Sequence, residues 1–229
     1  MEWIAPGAVN LINKLPRRPG TLPYEPRKAR LIQMICHYAG DPVPGGSLLG
    51  YRNVTAESTA LYQISKDSRL AFPEIAYHFV IQEDATLVQC LPIWKRAWHA
   101  GDVNDQAVGV LFCGHGYLGI PSSKQIATAT RLRADLTYYE KHFVLALGHK
   151  DVGNTACPGL YHKHWVPLLN KEKEMDEATR NTILGQLHGY WSVKTDLEKL
   201  NATLRSEHLS HMIKMMDNGN AIIKKAIGV

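Results

Sequence analysis

The sequence predicts an α/β fold, in which helices flank a central mixed β-sheet, followed by a small all-helical C-terminal domain. Apolar runs of about four to eight residues, a length typical of buried strands, recur between residues 25 and 170. Helical patterns alternate with these runs, which indicates strands and helices packed in layers. Beyond residue 170 the strand signals cease and helix-forming residues dominate. We therefore predict one domain over residues 1–170 and a second over 171–229.

The first half of the larger domain begins with an arm, residues 1–28, which is rich in Pro and Arg. We expect it to lie extended on the domain surface without forming an element of its own. The run RLIQMICHY predicts a buried strand that carries His37 near its C-terminal end. A helix should follow with Thr55 as its N-cap. The runs AYHFVIQ and TLVQCL, separated by EDA, predict a hairpin.

The second half of this domain continues the alternation. AVGVLFCG predicts another buried strand, and a long helix should follow with Ser123 as its N-cap. FVLALGH is the next strand and ends at His149, and GLYHKHWVPLLN predicts a short amphipathic helix. In residues 171–229, the Leu and Met spacing predicts a packed helical hairpin or bundle, suited to wall targeting or to homo-oligomer formation.

Composition limits the partners and the compartment. The formal net charge of +5 and the 11 histidines favour an acidic partner, and the charge alone does not choose among nucleic acid, anionic lipid and a cell-wall polymer. We expect no signal peptide, because the first 20 residues lack a basic start followed by a long apolar stretch. We also expect no membrane span, because no apolar run approaches about 18 residues. The four cysteines are widely spaced in a chain of 229 residues, so we expect reduced thiols rather than a disulfide framework.

Three residues could hold a catalytic metal ion. His37 and His149 each end an apolar strand, and the C-terminal ends of parallel strands converge on one crevice. Cys157 follows His149 by eight residues. Zinc is bound well by imidazole nitrogen and thiolate, and a catalytic zinc takes three protein ligands. Spacing alone leaves the alternative that Cys157 is a small buried apolar residue and that the histidines bind no metal.

Four separated motifs carry a family resemblance: MICHYAG, AYHFVIQEDATLVQC, AWHAGDVNDQAVGVLFCG and LALGHKDVGNTACPGL. In this order they resemble the zinc-dependent N-acetylmuramoyl-L-alanine amidases of type 2. Phage lysozyme-type amidases and animal peptidoglycan recognition proteins share that fold. The resemblance covers about residues 30–168 and implies that Zn²⁺ is the cofactor and bacterial peptidoglycan the partner, with no nucleic acid partner.

The resemblance also implies roles for individual residues. His37, His149 and Cys157 would be the zinc ligands, and Tyr77 would reach towards the metal-bound water or the oxyanion. Thr155 would be a second catalytic residue, and it stands where phage relatives often carry Lys and recognition proteins often carry Thr. The resemblance makes His99 a substrate contact in the groove. Trp94 and Trp98 are candidates from the residues alone. They could form a platform that binds sugar or peptide, or they could be packing anchors.

The function implied by the resemblance is hydrolysis of the amide between N-acetylmuramic acid and L-alanine. We expect a phage-type endolysin that is made in the cytoplasm and acts on the cell wall after release. Two other classes stay open. One is a peptidoglycan-binding protein without hydrolysis, although binding-only relatives typically lack the cysteine found here as Cys157. The other is a regulator that binds a protein partner.

Overall fold

The computed structural model describes residues 2–39, 53–65, 72–114 and 116–171. These residues form six strands: β1 (Val9–Asn10), β2 (Gln33–Tyr38), β3 (Phe79–Ile81), β4 (Leu87–Gln89), β5 (Ala107–Phe112) and β6 (Leu145–Gly148). They also form four α-helices and a short 3₁₀-helix: α1 (Ala56–Ile64), α2 (Ser123–Glu140), α3 (His149–Val152), α4 (His162–Leu169) and the 3₁₀-helix Gly101–Asp105.

The six strands make one mixed sheet with the order β1-β4-β3-β5-β2-β6. Strand β2 pairs in parallel with β5 on one side and β6 on the other, and β3 also runs parallel to β5. Strand β4 returns antiparallel to β3 as the second arm of the predicted hairpin. The carboxyl ends of β2, β5 and β6 therefore lie at the same edge of the sheet, where α/β proteins form their sites.

Helices cover both faces of the sheet, as predicted. Because side chains alternate along a strand, Met34 and Cys36 point to one face and Ile35 and His37 to the other. The first face packs against α2 and α4 in a cluster that includes Phe79, Val110, Leu132, Leu136 and Trp165. The other packs in part against α1, whose Ala56 and Ala60 are fully buried. Each fully buried Leu or Phe of these clusters contributes about 1.5–3 kcal/mol relative to an exposed side chain.

The N-terminal arm is part of the sheet, so the expectation that it forms no element of its own is wrong. Val9–Asn10 pairs in parallel with β4 as the edge strand β1. The Gln89 side chain accepts a hydrogen bond from the Ala5 amide at 2.8 Å, and the buried Glu74 carboxylate accepts one from the Tyr24 amide at 3.0 Å. Pairing satisfies backbone groups on the outer edge of β4 that would otherwise need other partners.

The two predicted helix caps had different outcomes. Thr55 caps α1, and its hydroxyl accepts a hydrogen bond from the Ser58 amide at 3.1 Å, as expected. The prediction of Ser123 as the cap of α2 is wrong by one residue, because Ser122 caps the helix. The Ser122 hydroxyl accepts from the Gln125 amide at 3.2 Å, and the Gln125 side-chain oxygen accepts from the Ser122 amide at 3.0 Å. This reciprocal capping box selects Ser122.

The chain divides into two units, residues 1–171 and 172–229. The predicted C-terminal helical domain, 171–229, falls almost wholly outside the described residues, so it stays a prediction. Across the part of the chain that the structure describes, no helix combines the length and apolar character needed to cross a membrane. All four cysteines are free thiols, as the sequence led us to expect.

Candidate metal centre

Three potential metal ligands meet at the carboxyl edge of the sheet. His37 is the penultimate residue of β2, and His149 begins α3 directly after β6, the neighbouring parallel strand. Cys157 lies in the turn between α3 and α4. One ligand atom from each of the three residues lies within 4.8 Å of the other two. The structure thus brings together the residues that the sequence singled out as ligands.

The spacing within this cluster fits a zinc ion. The Cys157 Sγ lies 3.6 Å from the Nδ1 of His37. A tetrahedral zinc with bonds of about 2.3 Å to sulfur and 2.05 Å to nitrogen would hold those two atoms about 3.6 Å apart. Two imidazoles and one thiol are a donor set that zinc prefers, and three ligands leave its fourth position open.

The electrostatics of the cluster also suit a cation. Burial lowers the pKa of His37 well below its usual value, and the neighbouring His99 and His149 lower it further. Burial lowers the pKa of His149 as well. Both imidazoles are therefore neutral near pH 7, with a lone pair available on each. Burial raises the pKa of the Cys157 thiol to about 12, against the effect of a hydrogen bond from the Tyr38 backbone. A cation at this place would favour the thiolate.

The turn that carries Cys157 is held by a group of residues that the sequence analysis missed. The Asp151 carboxylate accepts a hydrogen bond from the Gly148 amide at 2.7 Å and pairs with the Nε2 of His162 at 3.1 Å. The other ring nitrogen of His162 lies 3.2 Å from the Gly159 carbonyl oxygen. These bonds tie the end of β6 to both sides of the turn, and a cis peptide bond joins Cys157 to Pro158.

Gly148 is required by the close approach of this turn to β6. A Cβ added at Gly148 would lie 2.9 Å from a ring carbon of Pro158 and 3.2 Å from the Asp151 carboxylate. A glycine inside a strand signals such a close approach. The Gly148-His149 sequence at the end of the apolar run carried that signal.

Tyr77 and Thr155, the two predicted catalytic residues, both lie beside the ligands. The Tyr77 ring centroid is 5.0 Å from that of His37. Burial, and secondarily the Cys157 thiol, raise the pKa of Tyr77, so the phenol keeps its proton and can donate it in a hydrogen bond. The Thr155 hydroxyl accepts a hydrogen bond from the Cys157 amide at 3.2 Å, which orients the hydroxyl and leaves its own proton to donate.

His99 lies close to His37 but is mostly covered. Its Nδ1 is 3.2 Å from the Nε2 of His37, the ring nitrogen that does not face Cys157. Only 8% of His99 is exposed, and burial lowers its pKa to about 3. Little of the ring is accessible to a substrate. The assignment of His99 as a substrate contact stays a prediction.

The two tryptophans lie in different surroundings. Trp98, half exposed, precedes His99 in the chain and packs its ring 5.4 Å from the ring of Tyr24. Trp94, also half exposed, lines a cavity of about 490 Å³ together with Trp3, Arg27, Leu31, Ile93 and Tyr139. None of the three metal-ligand candidates lines that cavity. Substrate binding by Trp94 and Trp98 stays a prediction.

Comparison with known proteins places this arrangement in a family. A family model described as N-acetylmuramoyl-L-alanine amidase matches residues 30–160, which include Tyr77 and all three candidate ligands. The chain belongs to the N-acetylmuramoyl-L-alanine amidase family. It is also 29% identical over 164 residues to a peptidoglycan-recognition protein of Drosophila melanogaster, and the match covers 67% of this chain and 81% of that protein.

Solved structures support the amidase fold for the described domain. An endolysin, the N-acetylmuramoyl-L-alanine amidase LysCS from Clostridium intestinale, is 22% identical with a TM-score of 0.52, and the match covers 74% of this chain and 99% of LysCS. An endolysin from a bacteriophage of Thermus scotoductus is 17% identical with a TM-score of 0.55, and the match covers 72% of this chain and 99% of that one. At these identities the likeness establishes the amidase fold, which agrees with the predicted mixed sheet.

Proposed function

We propose that this chain is a zinc-dependent N-acetylmuramoyl-L-alanine amidase. Its reaction would be hydrolysis of the amide bond between N-acetylmuramic acid and L-alanine in bacterial peptidoglycan. The observation that carries the proposal is the convergence of His37, His149 and Cys157 at the spacing of a tetrahedral zinc site. Membership of the amidase family supports the reaction class. The two endolysins of the same fold support a lytic role on the cell wall.

The chemistry divides between the metal and the chain's own residues. When bound, zinc would lower the pKa of a coordinated water to about 7 and polarise the scissile carbonyl. His37 and His149 offer neutral imidazoles, and Cys157 contributes one negative charge as a thiolate. Tyr77 holds its proton and can donate a hydrogen bond to the oxyanion that develops on the carbonyl. One such donor is typically worth about 3 kcal/mol in the transition state.

The test measures bond cleavage directly. The full chain, supplied with zinc, is incubated with purified peptidoglycan, and new alanine amino ends are counted. We expect these ends to appear with the native protein and to be absent with Cys157→Ala. Cys90→Ala is the matched control, because Cys90 is another free thiol but is buried in an apolar cluster that contains none of the three ligands. No new amino ends with the native, zinc-loaded protein would refute the proposed activity.

Peptidoglycan binding without hydrolysis is the second candidate. The similarity to a peptidoglycan-recognition protein favours it, whereas the intact set of two histidines and one cysteine favours the enzyme. The same preparations separate the two functions. A binding protein would be retained on insoluble peptidoglycan without releasing amino ends, and the retention of Cys157→Ala would equal that of the native protein.

A further inference from the structure

The two ring nitrogens of His37 face different neighbours. Nδ1 faces the Cys157 sulfur at 3.6 Å, and Nε2 faces the Nδ1 of His99 at 3.2 Å. The His37 and His99 rings stand nearly perpendicular, with an interplanar angle of 89°. At 3.2 Å two imidazole nitrogens share one proton, so one of them donates and the other accepts. The position of that proton decides which nitrogen of His37 has a free lone pair.

His99 is fixed at its backbone by a buried side chain. The Asn104 side-chain oxygen accepts hydrogen bonds from the His99 amide at 3.1 Å and from the Ala100 amide at 2.8 Å. Asn104 belongs to the 3₁₀-helix and is itself buried. The backbone that carries the His99 ring therefore has little freedom to turn away from His37.

The His99 ring is also confined on its flanks. It lies directly over Gly109 of β5, where an added Cβ would be 2.7 Å from the His99 Cγ. The ring of His78 stands perpendicular to it at a centroid distance of 5.8 Å. His78 is itself locked, because its Nδ1 accepts from the Gly109 amide at 3.1 Å and its Nε2 lies 2.9 Å from the Lys95 carbonyl oxygen. These contacts hold His99 in an orientation with Nδ1 directed at His37.

We propose that His99 is a positioning residue for the metal site, and that its Nδ1 accepts the Nε2 proton of His37. Because Nε2 of the neutral His37 ring then carries the proton, Nδ1 carries none. The lone pair of Nδ1 is therefore free and directed towards Cys157. The inference rests on the proposed zinc site. Ligand histidines generally donate their second N–H to an acceptor, usually a carboxylate, a carbonyl or water. Here the acceptor is a second imidazole.

Two substitutions of nearly equal size separate hydrogen bonding from packing. In His99→Asn the side-chain oxygen can occupy the place of Nδ1 and still accept the proton of His37. The leucine of His99→Leu has nearly the size and shape of that asparagine but no acceptor. Both variants remove the same part of the ring, so a role in packing alone would affect them equally. Each is purified as the full chain and compared in the metal-free form by thermal unfolding, which shows whether both are folded.

The readouts are metal binding and the spectrum of the bound metal. Zn²⁺ affinity is measured by competition with a chromophoric chelator, and Co²⁺ is substituted to record visible absorption. We expect His99→Leu to bind Zn²⁺ about 10–100-fold more weakly and to show an altered Co²⁺ spectrum, as loss of a ligand's hydrogen-bond partner typically does. His99→Asn should lose less than about tenfold, the lower end of that range, and keep the native spectrum.

Each other outcome overturns the inference in a distinguishable way. Equal losses of Zn²⁺ affinity in the two folded variants would mean that His99 acts through packing alone. Native affinity in both would mean that His37 needs no acceptor from His99. If the native chain itself binds no Zn²⁺, the proposed zinc site fails and the role of His99 fails with it.

Discussion

A single methyl group at Gly109 should disturb the metal site without touching any ligand. The Cβ of Gly109→Ala would lie 2.7 Å from the His99 Cγ and 3.0 Å from its Nδ1. Carbon atoms pack best at about 3.5–4.0 Å, so the ring would have to retreat by roughly 1 Å. The hydrogen bond between Nδ1 of His99 and Nε2 of His37, now 3.2 Å long, would lengthen or lose its alignment.

The stability change has two opposing parts. Replacing Gly by Ala at a compatible backbone position stabilises a protein by about 0.4–1 kcal/mol, because the unfolded chain is less flexible. Gly109 lies in β5 outside the left-handed region, so its backbone accepts Ala. Overpacking of a well-filled site costs about 1–3 kcal/mol. We expect the steric part to win, with a net loss of about 1–2 kcal/mol and weaker Zn²⁺ binding.

A double-mutant cycle tests the cause. Urea unfolding of the metal-free full chain is measured for Gly109→Ala in the native background and in His99→Ala, which lacks the ring. Without the ring there is no clash, so the added methyl should be neutral or stabilising. The two changes should therefore couple by at least about 1 kcal/mol, as neighbouring residues do. Equal losses in the two backgrounds would show that the His99 ring is not the group that Gly109 accommodates.

The contacts around the ligands predict three other outcomes. Tyr77→Phe should lower kcat by about 10²–10³ in steady-state assays and leave KM and Zn²⁺ affinity unchanged, because it removes only a transition-state donor. A rise in KM with kcat unchanged would contradict that role. Asp151→Ala should lower the free energy of urea unfolding by about 1–3 kcal/mol, because the buried His162 loses its partner, and should also weaken Zn²⁺ binding through the Cys157 turn. Apparent Zn²⁺ affinity should fall about tenfold for each pH unit lowered from 9 to 7, because the raised pKa of Cys157 means that binding releases one proton. Chelator competition corrected for chelator protonation measures the slope, and pH-independent affinity would contradict it.

Much of the fold could be predicted because most strands carry a strong local signal. Strands β2, β5 and β6 are short apolar runs that end in polar or glycine-rich sequence, and burial of both faces of a parallel sheet produces that pattern. Strand β1 could not be predicted in this way. Val9–Asn10 is too short to show the alternation of apolar and polar residues that is typical of a strand. It is a strand only because it pairs with the edge of β4. Ser122 and Ser123 are equivalent N-cap candidates when each is considered alone. Gln125 selects Ser122, because the two residues exchange hydrogen bonds between side chain and backbone.

The ligands of the candidate site could be predicted for a similar reason. His37 and His149 stand at the ends of adjacent parallel strands, so topology alone brings them near each other. Residue type and spacing made Cys157 a ligand candidate, and the family resemblance chose that role over a small buried apolar residue. No local pattern predicts the course of the turn that places Cys157. Its geometry depends on the bonds of Asp151 to Gly148 and His162, between residues that carry no distinctive signal in the sequence.

The position of β2 within the sheet explains why the supporting residues lie on two sides of one ligand. β5 and β6 flank β2, so His37 has a different neighbour on each side. On the side of β6 lie His149 and the Cys157 turn, which complete the ligand set. On the side of β5 the missing side chain of Gly109 creates the space that the His99 ring fills. A glycine within a buried strand is therefore informative about this site, because only its lack of a Cβ allows a second imidazole to reach the one that would bind the metal.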